Sequence, residues 1–345
     1  MPGGPHPARD RLAVRELPET DGRAQPAGIP GRHGGACGGP ARHHRRAASR
    51  PGASQRDHPL PKDEVIDPAS AGELEPLLRR HRITLQHRLG QNFLIDPALR
   101  DAIAEAAGGT QDDEILEVGA GVGTLTIALA GRCRRLVAVE FDRKLIPALR
   151  EVVGQHGNVE VVQADILRFD VAGAFAGGGE IVAGNIPYNL TGALIPKLLD
   201  HPPRPRRLSL VVQKEVAARW TGNAAASLAT IAVQVFAEAR TVMTIPAASF
   251  TPPPRVDSAL VILEVRPKPA VGVADVGNFL RFVESVFQFR RKQLGGTLGR
   301  QVGISSGEAA TRLTDLGIDA SRRPQTLTIP EWEAVYRAFN PGLDR

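Results

Sequence analysis

The stretch Glu114-Ile115-Leu116-Glu117-Val118-Gly119-Ala120-Gly121-Val122-Gly123 constrains this chain more than any other part of it. An apolar run leads into glycines at every second position, and Leu125-Thr126-Ile127-Ala128-Leu129-Ala130 continues as a helix-forming segment. A strand that enters a helix through a loop bare of side chains lets backbone approach a ligand closely. It commits the region to an α/β unit on a parallel sheet. The spacing is G-x-G-x-G, whereas dinucleotide loops carry G-x-G-x-x-G. That difference favours a ligand without a pyrophosphate, of which S-adenosylmethionine is the common one. Taken alone, the loop fits an ordinary glycine turn equally well.

Three further strands change that balance. Arg135-Leu136-Val137-Ala138-Val139-Glu140 ends in an acid about 20 residues on, where a carboxylate can take both hydroxyls of a ribose. Val159 to Ile166 ends in Asp165, placed to accept a hydrogen bond from an adenine amine while Ile166 packs on the ring. Glu180-Ile181-Val182-Ala183-Gly184 delivers Asn185. A lone strand-end Asp is usually a helix cap. Four strands in succession, each with a polar group at its carboxyl end, match the place where open α/β sheets bind ligands.

The fourth strand continues as Asn185-Ile186-Pro187-Tyr188. The Asn185 side-chain oxygen and the carbonyl of Ile186 or Pro187 can accept both hydrogens of an exocyclic amine, which points its lone pair outward. Pro187 lacks an N–H and fixes φ, so the turn is rigid. Tyr188 offers a ring face on which a flipped base can stack. These are the groups that chemistry on the amine of a planar base requires.

In order along the chain, these segments resemble the motifs of the rRNA adenine N6,N6-dimethyltransferases, specifically the KsgA/RsmA type that acts near the 3′ end of small-subunit (16S) rRNA. The resemblance begins at Leu89-Gly90-Gln91-Asn92-Phe93-Leu94-Ile95-Asp96 and passes through the glycine loop, Glu140-Phe141-Asp142, Ala164-Asp165 and Gly184 to Asn189. It continues in Val212 to Arg219, in Phe250-Thr251-Pro252-Pro253-Pro254-Arg255-Val256-Asp257-Ser258 and in Phe287-Gln288-Phe289-Arg290-Arg291-Lys292, and closes at Arg322-Arg323-Pro324. The family usually has Tyr-Gly-basic-Leu-Ser where this chain has Ala225-Ala226-Ser227-Leu228-Ala229-Thr230, so that helix start is expected to meet RNA or the sheet differently.

The resemblance implies a Rossmann-like class I S-adenosylmethionine-dependent methyltransferase sheet over residues 73–266 and a small helical RNA-binding domain over 267–345. It implies that Asn92 and Leu94 close over the cofactor, that Gly119 and Gly121 line its amino-acid end, and that Glu140 holds the ribose. Asp165 and Ile166 would hold the adenine, and Asn185 would stand where cofactor meets target amine. Phe250 is expected to be a second aromatic wall opposite Tyr188, although a core residue bridging two strands is the plainer reading. The substrate implied is 16S rRNA within the pre-30S or 30S subunit, methylated twice on each of two adjacent adenosines by a monomeric enzyme.

The net charge of +6 is less informative than it looks, because ten arginines against five acids before residue 61 account for +5 of it. RNA binding must then rest on local patches. The candidates are Arg79, Arg80 and Arg82 ahead of the glycine-rich core, Arg204-Pro205-Arg206-Arg207, and Arg290, Arg291 and Lys292 on an expected helix from Phe279 to Leu298. Residues 1–72 are rich in Gly, Pro, Ala, Arg and His and without an aromatic, so a disordered tail is expected there. No apolar run is long enough to span a membrane, and two cysteines, Cys37 and Cys133, make neither a disulfide framework nor a metal cluster. A cytoplasmic protein without a metal is expected. Two other readings stay open: a 23S rRNA adenine methyltransferase of the macrolide-resistance type, and a non-catalytic ribosome-assembly factor on the same fold.

Overall fold

A computed structural model describes residues 66–85, 90–176, 180–199, 202–222 and 226–340. Most of the tail, residues 1–65, lies outside the described residues, as does Leu89 of the lead-in segment. Helix α1 (Ala71–Arg80) comes first and buries Leu74 and Leu77. A two-residue strand, β1 (Phe93–Leu94), follows, and then helix α2 (Pro97–Ala107). Asp96 caps α2 by accepting from the Leu99 N–H, Pro97 opens it, and Gly108 ends it at a φ of 72°.

The glycine-loop unit is strand β2 (Glu114–Val118), every residue of which is buried, and helix α3 (Thr124–Ala130). After it come β3 (Arg135–Glu140), α4 (Ile146–Val153), β4 (Val159–Gln163), β5 (Glu180–Asn185), α5 (Thr191–Leu199) and β6 (Arg207–Gln213). Their near-continuous apolar sequences are those of strands covered on both faces. Helices α6 (Lys214–Trp220) and α7 (Leu228–Phe236) lead to β7 (Ala237–Ile245), the short β8 (Phe250–Thr251) and β9 (Ser258–Val265).

The seven main strands run in the order β4-β3-β2-β5-β6-β9-β7, parallel as far as β6 and antiparallel in the last two pairings. The expected α/β sheet with a closing antiparallel pair is therefore present. Strand order reverses between β2 and β5, which makes their carboxyl ends the switch point where such sheets open a crevice. Separately, β8 pairs with β1, so Phe250 lies opposite Leu94 and the lead-in segment is stitched to the far part of the chain.

Beyond β9, helices α8 (Val276–Phe287), α9 (Leu294–Val302), α10 (Ser306–Asp315) and α11 (Ile329–Phe339) complete the chain. Phe279 and Phe282 meet Tyr336 edge-on at 5.5 Å, and Phe287 stacks on Trp332. These rings join one apolar cluster with α7 and one face of the sheet.

One expectation needs correction here. The helix foreseen from Phe279 to Leu298 is two helices, and Arg290, Arg291 and Lys292 lie in the turn between them. The backbone is extended at Gln293, which interrupts the helical run, and α9 starts where the chain meets a second segment. Leu294 and Gly295 donate their N–H groups to Arg322 and Ala320, and a Cβ on Gly295 would stand 3.2 Å from that of Ala320. Glycine permits this approach at the first turn of α9.

Candidate active site

A cavity opens at the carboxyl ends of β2, β3, β4 and β5. All the residues expected to meet a cofactor line it: Asn92, Leu94, Gly119, Gly121, Glu140, Asp165, Ile166 and Asn185. The loop after β2 can pass beneath a ligand because Gly119, Gly121 and Gly123 hold φ values of 73°, 62° and 95°, which other residues adopt only under strain. At Gly123 a Cβ would also press on Val152 at 2.9 Å.

Glu140 does local work before it meets any ligand. One carboxylate oxygen accepts the Gly121 N–H at 2.8 Å and the other accepts the Asp142 N–H at 2.7 Å. This fixes the glycine loop relative to β3. Burial raises the Glu140 pKa, and these backbone hydrogen bonds work against that rise. Asp165 caps its own turn by accepting from Leu167, so it serves as a cap and as a cavity wall together.

Glu117 carries the clearest mark of a missing partner. Its carboxyl is fully buried at the end of β2, lines the cavity, and has one oxygen that meets no donor. Burial pushes its pKa up to about 8, and the neighbouring Glu140 charge adds to the rise. A cation at the amino-acid end of a ligand would satisfy that oxygen. The donor set therefore fits S-adenosylmethionine.

Asn185 Nδ2 donates to the Asn92 backbone oxygen at 2.9 Å. The amide is thereby oriented and its Oδ1 is left to accept from a target. The segment that holds it is itself pinned: Asn92 Nδ2 donates to Gly90 O, and Gln91 Nε2 donates to Asp142 Oδ2 at 2.8 Å. Pro187 lines the cavity as well. Ile186 contributes backbone alone, since its side chain is buried in the core and its N–H donates to Val211 O. Tyr188 is half-buried beside the cavity, with its hydroxyl 2.8 Å from Ser258 Oγ, and burial raises its pKa.

Phe250 is placed differently from the aromatic wall foreseen. It is only 3% exposed, belongs to the apolar cluster with Phe93 and Leu94, and does not line the cavity. Pairing of β8 with β1 draws the ring inward, the plainer of the two sequence readings. Sequence reasoning gave no role to Gln91 or Phe141, yet both line the cavity, and Phe141 is 60% exposed. The signal for Phe141 was its place in Glu140-Phe141-Asp142, where a large apolar side chain between two acids has no core to enter.

The basic patches divide. Arg80 and His81 both engage Glu151 on α4, and Arg79 pairs with Glu75 within its own helix. Arg82 is exposed at a φ of 53°. The Arg204–Arg207 patch is structural: Arg204 lies over the Phe236 ring, Arg206 pairs with Asp113, and Arg207 grips Glu264 with two nitrogens. Arg290, Arg291 and Lys292 are all exposed and make no ion pair among the described residues.

The sheet order, the positive-φ glycine loop and the carboxylates at consecutive strand ends define a class I S-adenosylmethionine-dependent methyltransferase. Residues 82–339 match the family model for ribosomal RNA adenine dimethylase, and the chain belongs to that family, as an S-adenosylmethionine-dependent rRNA adenine dimethyltransferase. It is 40% identical over 290 residues to ribosomal RNA small subunit methyltransferase A of Pelotomaculum thermopropionicum, covering 80% of this chain and 98% of that protein. The protein of the same name from Shouchella clausii is 36% identical, covering 80% and 97%. Among solved structures, the 23S rRNA methyltransferase ErmE is 29% identical with a TM-score of 0.57, covering 74% of this chain and all of that one. A dimethyladenosine transferase from Plasmodium falciparum shares the fold at 23% identity and a TM-score of 0.58, covering 71% and 96%. No helix among the described residues is long and apolar enough to cross a membrane.

Proposed function

We propose that this enzyme dimethylates N6 of two adjacent adenosines in the 3′-terminal hairpin loop of 16S rRNA. It would act as a cytoplasmic monomer on the pre-30S or 30S subunit, by direct in-line transfer from S-adenosylmethionine. The observation that carries the chemistry is the Asn185 amide, held by Asn92 O so that its oxygen faces outward. The small-subunit assignment is supported by the relatives named small subunit methyltransferase A, which align over nearly their whole length.

When bound, S-adenosylmethionine supplies a methyl group already activated by its sulfonium, so the protein's task is alignment. Glu140 takes the ribose hydroxyls, Asp165 and Ile166 the adenine, and Glu117 the ammonium. Gly119 and Gly121 give backbone access, and Asn92 and Leu94 close the opening. Asn185 Oδ1 and the Ile186 or Pro187 carbonyl accept the two amine hydrogens of the target adenine. They hold its lone pair in line and stabilise the positive charge that grows on nitrogen. Tyr188 stacks on the base, which has left its own stack to reach the site. The methylated ammonium is acidic enough to lose its proton to water. Arg290, Arg291 and Lys292 meet backbone phosphates.

The test offers purified protein and labelled S-adenosylmethionine to undermethylated small subunits and, in parallel, to large subunits, with mass spectrometry of both nucleosides and nuclease fragments of each rRNA. Dimethyladenosine in the 3′-terminal hairpin, absent with Asn185→Ala, is the expected result. Label in 23S rRNA instead would overturn the small-subunit assignment. Cofactor binding without transfer to any subunit would replace the enzyme with an assembly factor.

A further inference from the structure

A second depression lies beside the catalytic turn, lined by Lys214, Glu215, Ala218, Ala247, Arg255, Val256 and Asp257. Its position follows from strand register. Asn185 stands opposite Val211 on β6, and Lys214 follows three residues further along the same direction. At the rise and spacing of a parallel sheet, that puts the Lys214 backbone about 11 Å from that of Asn185. The far wall is the loop after β8, which is firmly held: Lys214 N–H donates to Asp257 O at 3.0 Å, and Asp257 Oδ1 accepts the Ala247 N–H. The next residue, Ser258, carries the hydroxyl that meets Tyr188.

The charges are unequally engaged. Glu215 is paired with Arg219, and Asp257 is occupied by a backbone N–H. Lys214 and Arg255 are exposed and make no ion pair among the described residues. Between Arg255 and Asp257, Val256 is 46% exposed, one of two large apolar side chains left so open among the described residues. Two cations without ion pairs among the described residues, in one depression with an exposed apolar tip and within a nucleotide or two of the target position, suit a sugar-phosphate backbone with its base turned inward.

We propose that Lys214 and Arg255 form a subsite for the backbone phosphate of a nucleotide flanking the target adenosine, with Val256 packing on that nucleotide's base or ribose. This rests on the reading of rRNA as substrate, and it assigns residues outside the cofactor cavity to holding the strand while the base is presented.

The experiment compares the full chain with Lys214→Gln, Arg255→Gln, the double variant and Lys268→Gln. The last removes one charge beyond the opposite end of β9. Affinity for undermethylated small subunits is measured from about 50 to about 200 mM salt, alongside KM, kcat and affinity for S-adenosylhomocysteine. Each lost phosphate contact should reduce the salt-driven fall in affinity by about threefold over that range. The subunit KM should rise while S-adenosylhomocysteine affinity holds, which shows that the variants are folded. Wild-type salt dependence and KM in the double variant, or an equal change in Lys268→Gln, would overturn the subsite and leave the methyltransferase reading intact. Absence of methyl transfer by the unaltered chain would overturn both.

Discussion

The cavity at the ends of β2 and β3 keeps its charges inside the protein, while the ground around it keeps them outside. Glu117 and Glu140 are buried beside glycines with positive φ; Glu140 is tied to the glycine loop through the Gly121 N–H, and Glu117 keeps one oxygen without a donor. Arg290, Arg291 and Lys292, like Lys214 and Arg255, stand in solvent without acidic partners among the described residues. A buried charge is costly until its partner arrives, so the cavity discriminates sharply. An exposed cation costs little and binds weakly, so the outer surface works by number and by salt-sensitive attraction. Substitutions in the cavity should therefore act in large steps, and those on the surface in small graded ones.

The largest step is expected at Asn185. Asn185→Ala removes the proposed acceptor for the target amine and should lower kcat by about 10³-fold in single-turnover methylation, with S-adenosylhomocysteine binding reduced far less. A loss under tenfold would break the contrast, because the key group would then behave like a surface residue.

Glu117 sharpens it through pH. The unfolded side chain ionises near 4.5 and the buried one near 8, so as pH rises the unfolded chain gives up its proton first. Stability of the cofactor-free protein should fall from about pH 5 to about pH 8, by on the order of 1 kcal/mol per pH unit. Glu117→Gln should flatten that slope and raise Tm at the alkaline end, while weakening cofactor binding. Thermal unfolding across the series reads both effects, and an unaltered slope would show that Glu117 is not the group responsible.

A smaller effect belongs to the Arg322–Glu331 pair at the start of α11. The Arg322 guanidinium, foremost, holds the Glu331 carboxyl down to about 2, and Glu331 also closes a capping box with Thr328. The depressed pKa means stability that is present above about pH 4.5 and lost as pH falls toward 2. Arg322→Gln should cost about 1–2 kcal/mol near neutrality, with the difference fading in acid, as urea titrations at two pH values would show. The smallest change is expected from Arg291→Gln. It should weaken subunit binding only a few-fold and lower the salt slope by about 1, with kcat held. A hundredfold loss there would mean that the outer surface is as exacting as the cavity.

Much of the cavity was legible in the sequence because its residues sit at the ends of consecutive strands, where local pattern and position coincide. Glu140, Asp165 and Asn185 needed only that rule. What was not legible depended on partners distant in the chain. The Arg204–Arg207 patch reads as basic in one dimension, and only folding brings Asp113 and Glu264 against it. Arg80 is likewise taken up by Glu151. The basic run Arg290 to Lys292 was read as continuing a helix from Phe279, whereas α9 starts anew at Leu294, where the chain meets Ala320 and Arg322, residues that no local window contains. Phe250 was drawn into the core by β1, a strand too short to announce itself.

The hydrogen bond from Asn185 Nδ2 to Asn92 O also has a consequence of sense and direction. A carboxamide has two nearly superimposable faces, one that accepts and one that donates. Only the accepting one is useful to an amine. A backbone carbonyl 93 residues away settles which face is shown. With that carbonyl in place the Nδ2 end is committed, and the Oδ1 end is the one presented. The seated segment thus fixes the polarity of the amide as well as its position.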